Sequence, residues 1–240
     1  MPRPDGRQPG DLRPIGFQRA FTSRAPGSVL ASFGNTRVLC TAMATDGVPP
    51  FLQGKGRGWL TAEYSMLPSS TETRKPRDKI GNPDGRSIEI QRLISRSLRG
   101  VMDLSQMTER TIWIDCDVIQ ADGGTRTAAI SGAWIALHDL LTHMDGRRVL
   151  RGWPLRDQLG AVSVGVVNEV PMCDLSYAED SRAETDMNLV MTGKGKFIEV
   201  QGSAEGAPFD RGELDTMLEI GAAAIRRIFE AQSAALARPA

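Results

Sequence analysis

The sequence predicts a mixed α/β fold in two layers, and three observations carry that expectation. Short apolar runs with strand-like alternation recur in both halves of the 240-residue chain, set apart by Gly, Pro and Asn. Two long segments, near residues 87–102 and 211–234, repeat apolar residues at helical spacing, and a third from Thr125 is rich in small residues. Strands precede a helix in each half, a βββα-like order met twice, which suggests duplicated βα halves. No linker or low-complexity stretch divides the chain, so residues 1–240 read as a single domain.

The elements follow in order. SVLASFGNTRVLCTAMA reads as two strands joined at Gly34-Asn35, a pair suited to a tight hairpin. The polar stretch from Pro49 to Asp84 reads as a long mobile loop, its cationic part spanning about residues 65–85. In the helix SIEIQRLISRSLRGVM, Ile90, Leu93, Ile94, Leu98 and Val101 form the apolar stripe, while Arg92, Arg96 and Arg99 share another face. Thr111 to Gln120, TIWIDCDVIQ, alternates as a strand with Ile112, Ile114, Cys116 and Val118 on one side. The next helix carries a bulky stripe of Ile130, Trp134, Leu137 and Leu141, and small residues at Ala129, Gly132, Ala133 and Ala136 that permit close packing. Further strands are expected in GAVSVGVVN and MCDLSY, and a hairpin in MNLVMTGKGKFIEVQG turning at Gly193-Lys194-Gly195. An amphipathic helix from about Arg211 to Ala234 ends the series.

Composition narrows the function. No apolar run approaches the ~20 residues that span a bilayer, and MPRPDGRQPG lacks the apolar core of a signal peptide, so no membrane contact and a cytoplasmic location are expected. Cys40, Cys116 and Cys173 are scattered and odd in number, as fits reduced thiols. Net charge is zero, so a nucleic acid would need a local patch. Charge is in fact segregated: Thr71–Arg99 holds eight basic against four acidic residues, net +4, and Asn168–Asn188 holds one basic against six acidic, net −5. Only two histidines, His138 and His143, are present, which argues against a histidine-rich metal site or a His-pair nuclease. The sequence contains no GxxxxGK[ST] loop, no GxGxxG after a strand and no GxSxG elbow.

Arginines and carboxylates remain as the carriers of chemistry. In QADGGTRTAA, two glycines allow a sharp turn just where a helix opens its unpaired N–H groups, and Thr125 and Arg126 add a hydroxyl and a cationic fork. That combination suits an anion such as phosphate, and a solvated Gly-rich turn would use the same residues. Asp174, Asp180 and Asp186 recur every six residues, with Glu179 and Glu184 between them. Such carboxylates could hold magnesium beside phosphate, or one could donate a proton to a leaving oxygen, or the tract could be a solvated acidic loop.

RPDGR at Arg3–Arg7, GSVLASFGNTRVLCTA, GWLTAEYSMLP, EIQRLISRSLR, DGGTRTAAISGA, EDSRAETDMN and QGSAEGAPF together resemble the ribonuclease PH family over almost the whole chain. The resemblance implies an α/β fold with a left-handed βαβ crossover, against the general rule for such connections. It implies a tRNA nucleotidyltransferase activity: phosphate-dependent, reversible 3′-to-5′ degradation of RNA that releases nucleoside diphosphates and trims tRNA precursors. It implies a homohexameric ring, a trimer of dimers. The family's phosphate site maps to Arg86, Gly124, Thr125 and Arg126, and its acidic pair to Asp180 and Asp186, the carboxylates expected to hold Mg²⁺ beside the phosphate. Asp180 is the expected general acid, or a magnesium ligand doing equivalent work, and Asp186 the second ligand and orienter. RNA contacts map to Arg74 and Arg77, with Lys75 and Arg92 beside them. Ser69 stands where family members often carry Arg, so that RNA contact has no matching residue at its place, and Lys75 is the residue that could substitute in part. A non-catalytic RNA-binding ring subunit and a hydrolytic, magnesium-dependent exonuclease are the competing classes.

Overall fold

The computed structural model describes residues 3–77 and 84–238. The described residues form two sheets. Strands β1 (Ile15–Arg19), β2 (Gly27–Phe33), β3 (Thr36–Asp46), β4 (Trp59–Met66) and β5 (Arg110–Gln120) make the first, in the order β1-β2-β3-β5-β4. The second has the order β7-β6-β8-β9, from β6 (Leu159–Val167), β7 (Val170–Cys173), β8 (Thr185–Thr192) and β9 (Phe197–Ala204). Helices α1 (Gly85–Gly100), α2 (Thr125–Gly146), the single turn α3 (Tyr177–Asp180) and α4 (Arg211–Leu236) complete the mixed α/β fold.

Both expected hairpins form, β2–β3 with Phe33 opposite Thr36 and β8–β9 with Leu189 opposite Val200. Two readings need correction. Trp59–Met66 is a strand, although the sequence from Pro49 onward reads as loop: Leu60, Ala62 and Tyr64 are buried, while Thr61 and Glu63 face outward. Flanking Gly and Pro masked that alternation, and β4 is stabilised by lying parallel to β5, a pairing that α1 makes possible by crossing between them. The strand expected in MCDLSY ends early, at Cys173, because Asp174 turns with φ +51° and Ser176 starts α3. These changes, and the short strand β1, break the twofold βββα order: the first sheet holds a βαβ unit, and the second is antiparallel throughout. Residues 78–83 of the cationic loop lie outside the described residues.

Helix α2 organises the centre. A Cβ on Gly132 would come within 2.7 Å of Ala31 Cβ and 2.9 Å of Cys40 Sγ, so its small-residue face lies directly on β2 and β3. Its other side meets the second sheet, where Ser131 Oγ accepts from Ala161 N and Trp134 Nε1 donates to the Asp157 carbonyl. With sheet on both sides, α2 is buried almost all round, as its run of small residues requires. One continuous apolar cluster therefore crosses from the first sheet to the second. This fixes the N-terminus of α2 at the junction of the two sheets.

Candidate active site

Between β5 and α2 the chain makes the turn Asp122-Gly123-Gly124. Gly123 and Gly124 both take left-handed backbone angles, φ +73° and +65°, which glycine adopts without steric cost. A Cβ at Gly123 would lie 2.3 Å from the Leu175 carbonyl oxygen, so glycine also lets the turn touch the acidic segment before α3. Thr36 locks the turn by donating to Gly123 O at 2.7 Å and accepting from Asp122 N at 2.9 Å. Thr125 shares a 2.8 Å hydrogen bond with the buried Tyr64 hydroxyl. Gly124, the N-cap of α2, offers no side chain, so the first amides of the helix stay open to a ligand. Gly123→Ala should lower stability by roughly 2 kcal/mol or more, visible as a fall in thermal midpoint.

Three buried or nearly buried arginines hold the acidic segment against this turn. Arg13 grips the Asp174 carboxylate, with Nη2 at 2.7 Å and Nε at 3.1 Å, and its other donors reach the carbonyls of Asp122 and Gly123. Arg3 pairs with both oxygens of Glu179 at 2.7 and 2.8 Å and donates to the carbonyls of Cys173 and Asp174. Arg7 adds a bond to the Asp174 carbonyl and an ion pair with Glu179. Glu179 also closes a capping box on Ser176 at the start of α3. Asp174 and Glu179 are thus structural, and this explains why only some acids of the tract are free for chemistry. Such pairs stabilise as a set, since removing one partner leaves a buried charge unpaired.

The free acids face a cleft of about 290 Å³. Arg86, near the start of α1, and Gly124, Thr125 and Arg126 line it together with Asp180 from α3 and Asp186 from β8. Arg126 is held in place by Glu89 at 3.1 Å and Gln201 at 3.2 Å. Neither Asp180 nor Asp186 has a side-chain hydrogen-bond partner among the described residues. Burial raises the Asp180 carboxyl above its ordinary value, opposed by Arg86. Burial and the neighbouring Asp180 charge push Asp186 up to about 6. A cluster that dislikes its own charge beside two guanidinium groups can bind an anion, carry a proton, or take up a cation. Among the described residues, no group of three His, Cys, Asp or Glu could by itself hold a metal ion. Two unpaired carboxylates beside an anion pocket still fit magnesium, which takes one or two carboxylates and completes its shell with water and phosphate oxygens.

Other expected residues are placed elsewhere. Arg74 and Arg77 are exposed at the described end of the cationic loop, and Arg92 is exposed on α1; none of them lines the cleft. Lys75 lies 3.8 Å from Asp84. The arginine face of α1 is divided: Arg96 pairs with Glu199 at 2.6 Å, and Arg99 stacks 4.6 Å from the Trp59 ring while donating to the Leu60 carbonyl. Ser69 is exposed. His138 packs between Trp134 and Trp153, away from the cleft. The lining also contains Ser163, Asn188 and Glu205, which sequence reasoning did not select. Asn188 had a signal, because it stands two residues from Asp186 on an alternating strand. Glu205 had none beyond its place in QGSAEGAPF, since it reaches the cleft through the β8–β9 register.

Fold and cleft together define a class: α/β proteins that handle an anion at a helix N-terminus opposite a pair of acids. Two family models refine this, the 3′ exoribonuclease family domain 1 over residues 11–141 and domain 2 over residues 157–224. The chain belongs to this ribonuclease PH family of phosphorolytic 3′ exoribonucleases. Solved structures share the fold. The Archaeal exosome core matches with TM-score 0.79 and 21% identity, over 97% of this chain and 91% of that one. The Archaeoglobus fulgidus exosome with RNA bound to the active site matches with TM-score 0.78 and 23% identity, over 95% and 92%. Rice (Oryza sativa) Rrp46 matches with TM-score 0.76 and 21% identity, over 96% and 98%. No helix among the described residues is long and apolar enough to cross a membrane.

Proposed function

We propose that the protein is a phosphate-dependent 3′-to-5′ exoribonuclease that releases nucleoside diphosphates and trims tRNA precursors. One observation carries this reading: Arg86, the Gly124–Arg126 turn, Asp180 and Asp186 come from four separate elements and line one cleft. The open amides of α2, Arg86 and Arg126 hold orthophosphate and offset its repulsion from the RNA backbone. A phosphate oxygen attacks the phosphorus of the last linkage in line. The new P–O bond forms as the P–O3′ bond breaks, and the departing 3′-oxygen takes up a proton. Asp186 suits that donation better than Asp180, the general acid expected from the sequence, because its carboxyl is pushed up to about 6 and so is the more readily protonated near neutral pH. Burial, with the Asp180 charge beside it, keeps it there. In place of that proton donation, Asp180 and Asp186, both ionised, would hold Mg²⁺, which would supply positive charge to offset the developing anion. A phosphoanhydride replaces a phosphodiester, so excess diphosphate drives the reaction backward into RNA synthesis.

Arg74, Lys75, Arg77 and Arg92 lie outside the cleft and are assigned to backbone contacts upstream of the 3′ end, within a homohexameric ring that collects loops from neighbouring copies. Structural likeness to exosome cores supports the ring, and the RNA at the active site of the Archaeoglobus exosome supports RNA as substrate. Such contacts read little sequence and weaken as salt rises. The test is digestion of a tRNA precursor with a 3′ extension, with and without phosphate. Diphosphates that appear only with phosphate support the reading. Monophosphates formed in plain buffer indicate a hydrolase, and no product indicates a binding subunit.

A further inference from the structure

We propose that Asn188 is a direct ligand of the orthophosphate, donating its side-chain amide to the anion between the Gly124 turn and Asp186. The proposal rests on the phosphorolytic reading and adds a residue to it. Three observations carry it. Asn188 is 6% exposed, yet its side chain has no hydrogen-bond partner among the described residues. Its amide keeps contact with solvent through the cleft, so an anion bound there would take the place of water on it. The residue lines the cleft, so what exposure it has opens onto the proposed anion position.

Strand register then places it. Asn188 lies directly opposite Ser163 across β6 and β8, and Asp186 lies opposite Gly165, two residues along the same strand face. Ser163 Oγ is only 3.8 Å from where a Cβ on Gly124 would stand, so Asn188 lies on the floor beneath the turn. Ser163 is already engaged, its hydroxyl accepting from Leu175 N at 3.1 Å and its carbonyl accepting from Asp174 N. That leaves the Ser163 hydroxyl proton and the Asn188 amide as donors on that floor, and of the two it is Asn188 that shares a strand face with Asp186. A neutral amide also fits the position chemically: it donates to an anion without adding charge that would bind Asp180 or Asp186, as Lys or Arg would. Donors fixed in advance toward developing phosphate charge need no reorganisation during the reaction.

The experiment compares Asn188→Ala and Asn188→Asp with wild type, measuring KM for phosphate, KM for RNA and phosphate-dependent thermal stabilisation. Alanine should raise KM for phosphate about tenfold, the loss of one charge-assisted hydrogen bond. Aspartate, nearly isosteric but anionic, should raise it about a hundredfold. KM for RNA should stay within twofold, and stabilisation by inorganic phosphate should shrink in the same order. A purely structural role would lower the thermal midpoint while leaving KM for phosphate unchanged in both variants, and that result overturns the proposal. If alanine does not fold, Asn188→Ser replaces it under the same criteria. Wild-type enzyme that makes no diphosphates contradicts the phosphorolytic reading itself. Stabilisation by phosphate that is equal in wild type and both variants contradicts only the role of Asn188.

Discussion

Arg126→Ala is expected to lower kcat/KM for phosphate-dependent trimming by about 10²–10³. Arg126 stands at the first turn of α2, and its pairing with Glu89 and Gln201 fixes the fork before any ligand arrives. The same guanidinium moderates the charge of both cleft acids, acting to lower the Asp180 and Asp186 carboxyls. Its removal strips a positive group from between orthophosphate and RNA and leaves Glu89, Asp180 and Asp186 repelling both. Lysine should not restore activity, because a point charge on a flexible stem does not reproduce the two-pronged geometry. The helix itself is held by packing on both sheets, so the thermal midpoint should change little. Activity of Arg126→Ala within about tenfold of wild type, measured as diphosphate release, would remove the anion cradle from the account.

Asp186→Asn should do two opposite things. Its kcat should fall by about 10²–10⁴, since a neutral amide has no acidic proton to give the leaving oxygen. The variant should also be more stable above neutral pH. The sign follows from linkage: a carboxyl at about 6 in the folded chain, against an ordinary 3.8, binds its proton more tightly when folded. That contribution is fully present below about 4 and is lost as pH rises through about 6, after which the folded state carries a charge it disfavours. Asparagine removes the burden, a gain on the order of 1–2 kcal/mol at pH 8 after allowing for solvent in the open cleft. Near pH 4 the gain should vanish. Denaturation curves at both pH values check this, and equal stability of variant and wild type at pH 8 would show that Asp186 is not electrostatically strained.

Much of this was legible in the chain. The Gly34-Asn35 hairpin, the α1 stripe and the small-residue α2 followed from local pattern, because each element's residues state their own burial. Strand β4 was not, since a parallel strand is stabilised by a partner some fifty residues away and its flanking glycines resemble a loop. At the site, the glycine turn and Asp180 and Asp186 stood out as residue types. What the sequence did not separate was which acids are structural: Asp174 and Glu179 look the same as Asp180 until Arg13 and Arg3 are seen gripping them. Nor did it show Arg126 tethered by Gln201, or Asn188 left without a partner, because those depend on the register of β8 against β6 and β9. Periodicity placed the arginines of α1 on one face, but it cannot tell a solvated guanidinium from one that stacks on Trp59.

The most direct measurement follows the attacking oxygen. RNA with a free 3′ end is incubated with the protein and orthophosphate labelled at phosphorus, and the mononucleotide products are separated. Attack by orthophosphate bound at Arg86 and Arg126 predicts nucleoside diphosphates with all of the label in the terminal phosphate. Unlabelled monophosphates, formed at the same rate when phosphate is withheld, would mean that water is the nucleophile and would contradict the account.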